Sequence, residues 1–148
     1  MKRILITGGG TGIGRAIAHA FAAEGHAVTI VGRRLEPLEA TAKGFNIATQ
    51  TADVTDETSV AALFDQPYDV VIANAGAGTA QKLADTTLAQ WNATLAVNLT
   101  GTFLTFKHAG GAVARSGGGS MVAISSIAGV STHRFMGPYC VSKAAIDM

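Results

Sequence analysis

The chain has 148 residues, long enough for one real core and too short to argue for two, and its 48% hydrophobic and 14% charged content is that of a globular, rather apolar protein without a disordered tail. A formal net charge of +1 with no run of lysine or arginine leaves no electrostatic footprint for nucleic acid or an anionic membrane, and nowhere do about 18 apolar residues run together to span a bilayer. Cys140 is the one cysteine, which excludes an internal disulfide and a multi-thiolate metal site; with no long apolar leader after Met1, a reducing cytoplasm is the expected location.

Arg3–Thr7 is the first of five apolar runs rich in Val and Ile, followed by Ala27–Gly32, Asn46–Thr51, Asp69–Asn74 and Ser120–Ser125. Segments with helical spacing separate them. Arg15, Ile17, Ala18, Phe21 and Ala22 make the apolar stripe of a first helix that Gly25 closes; a second covers Arg34 to Ala42, and a third covers Asp56 to Phe64, its start supplied with capping side chains by Asp53-Val54-Thr55-Asp56. A longer helical region from Leu88 to Ala114 contains Gly101 and Gly110-Gly111, where a kink or break is expected because glycine weakens a helix. Continuous apolar strands alternating with helical crossovers imply an α/β fold with a doubly wound parallel sheet.

Between the first strand and the first helix lies Thr7-Gly8-Gly9-Gly10-Thr11-Gly12-Ile13-Gly14. Glycines there allow a sharp turn and a close backbone approach to a pyrophosphate, and the helix N-terminus offers N–H groups to the anion; a merely structural turn is the alternative. A strict G-x-G-x-x-G fails at Ile13, and no Gly-Lys-Ser/Thr follows to make a P-loop. The second strand ends in Gly32-Arg33-Arg34, with no acid to bind the two ribose hydroxyls of NAD, whereas a guanidinium grips a 2′-phosphate. NADP is therefore favoured over NAD, with Arg33 as the contact and Arg34 beginning the next helix in solvent; the alternative is that both arginines begin that helix in solvent.

Tyr139 and Lys143 stand four apart in Tyr-Cys-Val-Ser-Lys, on one face of a helix. A phenol is a weak acid at neutral pH, and a neighbouring ammonium favours its ionised form, so Lys143 can tune Tyr139. Ser126 closes the fifth strand, and strand alternation turns the competing Ser125 to the opposite face. His19, His26, His108 and His133 are scattered, with no ligand-spaced metal cluster.

Thr7, Gly8, Gly12 and Gly14 in the pattern T-G-x-x-x-G-x-G, then Asn74-Ala75-Gly76, Asn98 in Val97-Asn98-Leu99-Thr100-Gly101, Ser126 and Tyr139-x-x-x-Lys143 follow one another along the whole chain in an order that resembles the short-chain dehydrogenase/reductase family. The resemblance implies a Rossmann-like sheet of order 3-2-1-4-5, a nicotinamide cofactor and a small carbonyl or secondary alcohol substrate. It implies a catalytic set of Asn98, Ser126, Tyr139 and Lys143, with Tyr139 passing the proton, Ser126 donating to the substrate oxygen and the Asn98 carbonyl holding a water linked to the lysine. Cofactor contacts are expected from Gly8, Gly10, Thr11, Gly12, Ile13, Gly14, Arg33, Asp53, Val54, Asn74, Ala75 and Gly76, besides Tyr139 and Lys143. For Asp53 the family role on the adenine competes with that of a helix cap.

Against the family pattern, the second and third helices are expected to be abbreviated, and the chain stops at Met148 inside the helix bearing Lys143. The expectation is of a single domain incomplete at its C-terminal end and inactive alone, whose full-length form is a homo-oligomer. A non-catalytic NADP-binding fragment or sensor is the alternative. Val130, His133, Phe135 and Met136 are expected to form one wall of the substrate entrance.

Overall fold

Leu5 and its neighbours on either side point to opposite faces of a strand, and that period of two organises the whole molecule. The computed structural model describes residues 1–148. Its strands are β1 (Arg3–Thr7), β2 (Ala27–Gly32), β3 (Ile47–Thr51), β4 (Val70–Ala73) and β5 (Ser120–Ala123). All pair in parallel in the order β3-β2-β1-β4-β5. The helices are α1 (Gly12–Ala23), α2 (Leu35–Ala42), α3 (Glu57–Ala61), α4 (Leu88–Leu95), α5 (Gly101–Arg115) and α6 (Gly137–Asp147).

On one face of the sheet Leu5, Val31 and Val71 pack with Val60, Leu63, Phe64, Leu104, Ala109 and Val113. On the other, Ile4, Ile6, Val28, Ile30 and Ile72 pack with Ala18 of α1 and Leu38 of α2. Each such side chain removed from water contributes roughly 1.5–3 kcal/mol, so register is fixed by two buried faces at once. No helix is long and apolar enough to cross a membrane.

Local signals set the helix starts. The Asp56 carboxylate accepts the Ser59 N–H at the start of α3, and Thr87 with Gln90 forms a reciprocal capping box at α4. Both middle crossovers are indeed short: α2 has 8 residues, and α3 has 5 before a single 3₁₀ turn at Ala62–Phe64.

Two expectations are corrected. No break occurs at Gly110-Gly111: α5 runs through both, because Ala109, Ala112 and Val113 around them are buried against the sheet and that packing outweighs the glycine penalty of about 1 kcal/mol per residue. At Gly101, the other expected position, the helix is distorted: Ala96–Thr100 forms one π-helical turn that ends directly before it, between α4 and α5. The fifth strand ends at Ala123, two residues short of Ser125, since its ladder with β4 closes at Ala73↔Ala123.

The carboxyl ends of β1 and β4, neighbours from which the chain leaves in opposite directions across the sheet, open a crevice at the point where strand order reverses.

Candidate active site

The glycine-rich loop leaves β1 into this crevice and is held from beneath. The Asn74 side-chain amide donates to the carbonyls of Thr7 (2.9 Å) and Gly8 (3.2 Å), and the Thr7 hydroxyl accepts the N–H groups of Asn74 and Ala75 at 3.0 Å each. Gly14 is packed so closely on the loop that a β-carbon there would collide with the Gly8 carbonyl and the Asn74 amide. The first backbone bond of α1 is from Arg15 N–H to the Thr11 carbonyl, leaving the N–H groups of Gly12, Ile13 and Gly14 without a partner in the chain. Three free donors at a helix N-terminus could hold an anion.

Gly8, Thr11, Gly12 and Ile13 line a cleft of about 500 Å³ together with Asn74, Ala75, Gly76, Tyr139 and Lys143. Beside it, a hollow of about 150 Å³ is bounded by Arg33, Asp53, Val54, Ala75 and Gly76. A third depression, where Gly10 and Thr11 face Arg33 and Arg34, adjoins the start of α2. Arg33 is exposed and makes no ion pair, so its charge is available to an anion. The Thr55 N–H and hydroxyl hold the Asp53 carboxyl below its ordinary pKa, and Arg33 acts in the same direction.

On the opposite wall α6 presents Tyr139 and Lys143. Lys143 is only 4% exposed; its Nζ donates to the Ile124 carbonyl at 2.6 Å and lies 5.7 Å from the centroid of the Tyr139 ring. Burial pushes its pKa down, with Asp147 one turn on opposing the shift. Behind them Asn98, in the π-helical turn, is wholly buried. Its amide donates to the Ala77 carbonyl and the Ser142 hydroxyl, each at 2.9 Å, and its oxygen accepts the Ala77 N–H at 2.7 Å. Ser142 in turn donates to the Tyr139 carbonyl at 2.7 Å, so one side chain fastens α6 to the loop after β4.

A family model described as short chain dehydrogenase matches residues 2–148. The chain belongs to the short-chain dehydrogenase family. Among curated relatives, the oxidoreductase asL5 of Sarocladium schorii is 39% identical over 98% of this chain and 61% of its own length. The NADP-dependent (R)-specific alcohol dehydrogenase of Lentilactobacillus kefiri is 35% identical over 98% of this chain and 62% of its own. Among solved structures, a short-chain type dehydrogenase/reductase from Mycobacterium ulcerans superposes with a TM-score of 0.92 at 35% identity, over 99% of this chain and 58% of that one. An alcohol dehydrogenase from the archaeon Thermococcus sibiricus complexed with 5-hydroxy-NADP gives 0.90 at 30% identity, over 98% and 66%. The chain thus spans about three-fifths of the length of these curated relatives.

Within this short-chain dehydrogenase chain, most of the residues singled out in sequence line the crevice, though not all on one surface, while Gly14 lies buried beneath the loop and Ser126 is not among the lining residues. Gly8, Thr11, Gly12, Ile13, Asn74, Ala75, Gly76, Tyr139 and Lys143 line the main cleft; Gly10, Arg33, Asp53 and Val54 lie in the two hollows beside it. Asp53 caps only its own turn through Thr55, while Asp56 caps α3. Asn98 stands behind the cleft wall rather than in it, and its carbonyl accepts the Thr102 hydroxyl at 2.7 Å.

The serines behave differently from the alternation rule. Because β5 has already ended, Ser125 is not turned away: it lines the main cleft and its hydroxyl donates to the Lys143 carbonyl at 3.3 Å. Ser126 Oγ accepts the Ala128 N–H at 3.1 Å and donates to nothing in the chain. Ala77, Gly78 and Ile124 also line the cleft and escaped the sequence reading. The signal available for them was nearness in sequence, since Ala77 and Gly78 follow Asn74-Ala75-Gly76 and Ile124 precedes the serine pair.

Proposed function

We propose that the protein is an oxidoreductase that binds NADP and interconverts a small carbonyl compound and its secondary alcohol. The observation that carries this reading is that Gly12 and Ile13, whose N–H groups have no partner in the chain, line the same cleft of about 500 Å³ as Tyr139 and Lys143. The residues fit the cofactor: helix N-terminal donors for a pyrophosphate, Asp53 and Val54 beside a hollow for the adenine, and an unpaired Arg33 for a 2′-phosphate. When bound, the nicotinamide supplies or accepts hydride.

The chain's own residues handle the oxygen and the proton. Tyr139 gives its phenolic proton to the substrate oxygen in reduction and takes one back in oxidation. Lys143 supports the phenolate: its buried ammonium uses one donor on the Ile124 carbonyl and keeps others for the cleft. Ser126 donates its uncommitted hydroxyl proton to the same substrate oxygen, opposing the charge that grows there. Ser125 does not compete, because its proton is spent on the Lys143 carbonyl. Asn98 holds the Ala77 peptide and Ser142, and so fixes the distance between the loop after β4 and Tyr139.

The test, on the protein at its natural length, is a fluorescence titration with NADPH and NADH, paired with a panel of small ketones and aldehydes followed by NADPH consumption. Saturable binding that favours NADPH and consumption with at least one carbonyl are expected. Absence of nucleotide binding would refute the proposal.

A further inference from the structure

One carbonyl of the glycine loop is gripped twice. The Gly10 oxygen accepts the Thr41 hydroxyl at 2.9 Å and Arg15 Nη2 at 2.8 Å, and Arg15 Nε donates to the same Thr41 oxygen at 3.1 Å. The three groups close a ring between α1, the loop and the end of α2. Thr41 is 0% exposed, and its own carbonyl is bonded by His19 Nε2 at 2.8 Å, so it has no freedom to turn. Arg15 has no acidic partner. Its fork is committed to a neutral oxygen pair where a carboxylate would ordinarily be found.

The consequence lies on the other side of the peptide. The C=O of Gly10 and the N–H of Thr11 belong to one planar trans unit and point in opposite directions. With the carbonyl held inward on Thr41 and Arg15, the Thr11 N–H is turned outward, and it makes no bond within the chain. Thr11 lines the main cleft and also the depression shared with Arg33.

We propose that Thr41 and Arg15 are positioning residues for the nucleotide: without touching it, they set the Gly10–Thr11 peptide so that a fourth backbone donor joins those of Gly12, Ile13 and Gly14. This rests on the nucleotide-binding reading above. The clamp acts on the phosphates that NADP and NAD share, so it governs affinity for both and leaves the discrimination by Arg33 alone.

The experiment measures Kd for NADPH and NADH by fluorescence titration in the unsubstituted protein and in Thr41→Val, Thr41→Ser and Arg15→Lys, each checked for a cooperative thermal transition. Losing one oriented hydrogen bond weakens binding about three- to tenfold. Thr41→Val should show that loss equally for both nucleotides, Thr41→Ser should restore the parent affinity, and Arg15→Lys, which cannot fork, should fall between. Should Thr41→Val fail to fold, the exposed Arg15 carries the test through Arg15→Lys. Unchanged affinity in the folded variants, equal weakening in Thr41→Ser, or weakening confined to NADPH would overturn the clamp and leave the nucleotide reading intact. Failure of the unsubstituted protein to bind either nucleotide would overturn both.

Discussion

The ring of Tyr139 rests on the bare backbone of Gly78: a β-carbon at residue 78 would stand 2.9 Å from Cδ2 and 3.3 Å from Cγ of the tyrosine. Those atoms are near the root of the side chain, so a methyl group there cannot be relieved by moving the phenol tip and must displace α6. Gly78→Ala is therefore expected to lower kcat by up to about a hundredfold, the scale of an ångström-sized misplacement of a catalytic group, with a smaller change in nucleotide affinity. Steady-state kinetics with NADPH titrations checks this; unchanged kcat would mean that the ring position is not set by this contact.

The two adjacent serines should separate cleanly. Ser126→Ala removes a hydroxyl whose proton is free, and is expected to lower kcat about 10²–10³-fold, as removal of a donor to a developing oxyanion does. Ser125→Ala removes only a 3.3 Å bond to the Lys143 carbonyl and should cost less than about tenfold. Parallel kinetics of the two variants decides it, and a larger loss at Ser125 would reverse the assignment.

On the proposed reading, cofactor choice rests on Arg33. A charge-assisted contact with a phosphate is worth roughly 1.5–3 kcal/mol, so Arg33→Ala should weaken NADPH binding by about one to two powers of ten while NADH changes little. Equal affinity of the unsubstituted protein for the two nucleotides would remove the basis for the preference.

Lys143 gives the stability of the protein an alkaline signature. Burial lowers its pKa from the ordinary lysine value, so between the folded and unfolded values the unfolded chain binds more protons than the folded one. Stability attributable to this group therefore rises with pH through that window, and the full cost of the buried ammonium is present below it. Denaturant unfolding at a series of alkaline pH values should show the rise in the parent protein and a flatter profile in Lys143→Met. Identical profiles would mean that the ammonium is not desolvated in the fold.

Much of this arrangement is legible in the sequence because the strands are short and apolar: Ile4, Leu5 and Ile6 read as buried strand, and they are. Strand ends are read less well. Ser125 looks like strand because it follows an apolar run, but pairing with β4 stops at Ala123, and the two residues beyond are free to enter the cleft. Gly110-Gly111 looks like a helix break because local propensity carries no information about the sheet that holds Ala109 and Ala112. Asn98 is recognisable by motif, yet its π-helical turn and its bonds to Ala77 and Ser142 depend on chain segments about 20 and 40 residues away. The Thr41–Gly10–Arg15 ring is silent for the same reason: Thr41 is an unremarked residue of α2 until the fold brings it to the glycine loop.

The central claim is that Tyr139 moves the proton. It is tested most directly by comparing Tyr139→Phe with the parent protein in NADPH binding and in carbonyl reduction. Phenylalanine keeps the ring that packs on Gly78 and removes only the hydroxyl, so the expected result is NADPH affinity within about twofold of the parent and turnover reduced by about 10²–10⁴-fold. Turnover near that of the parent, with NADPH still bound, would contradict it.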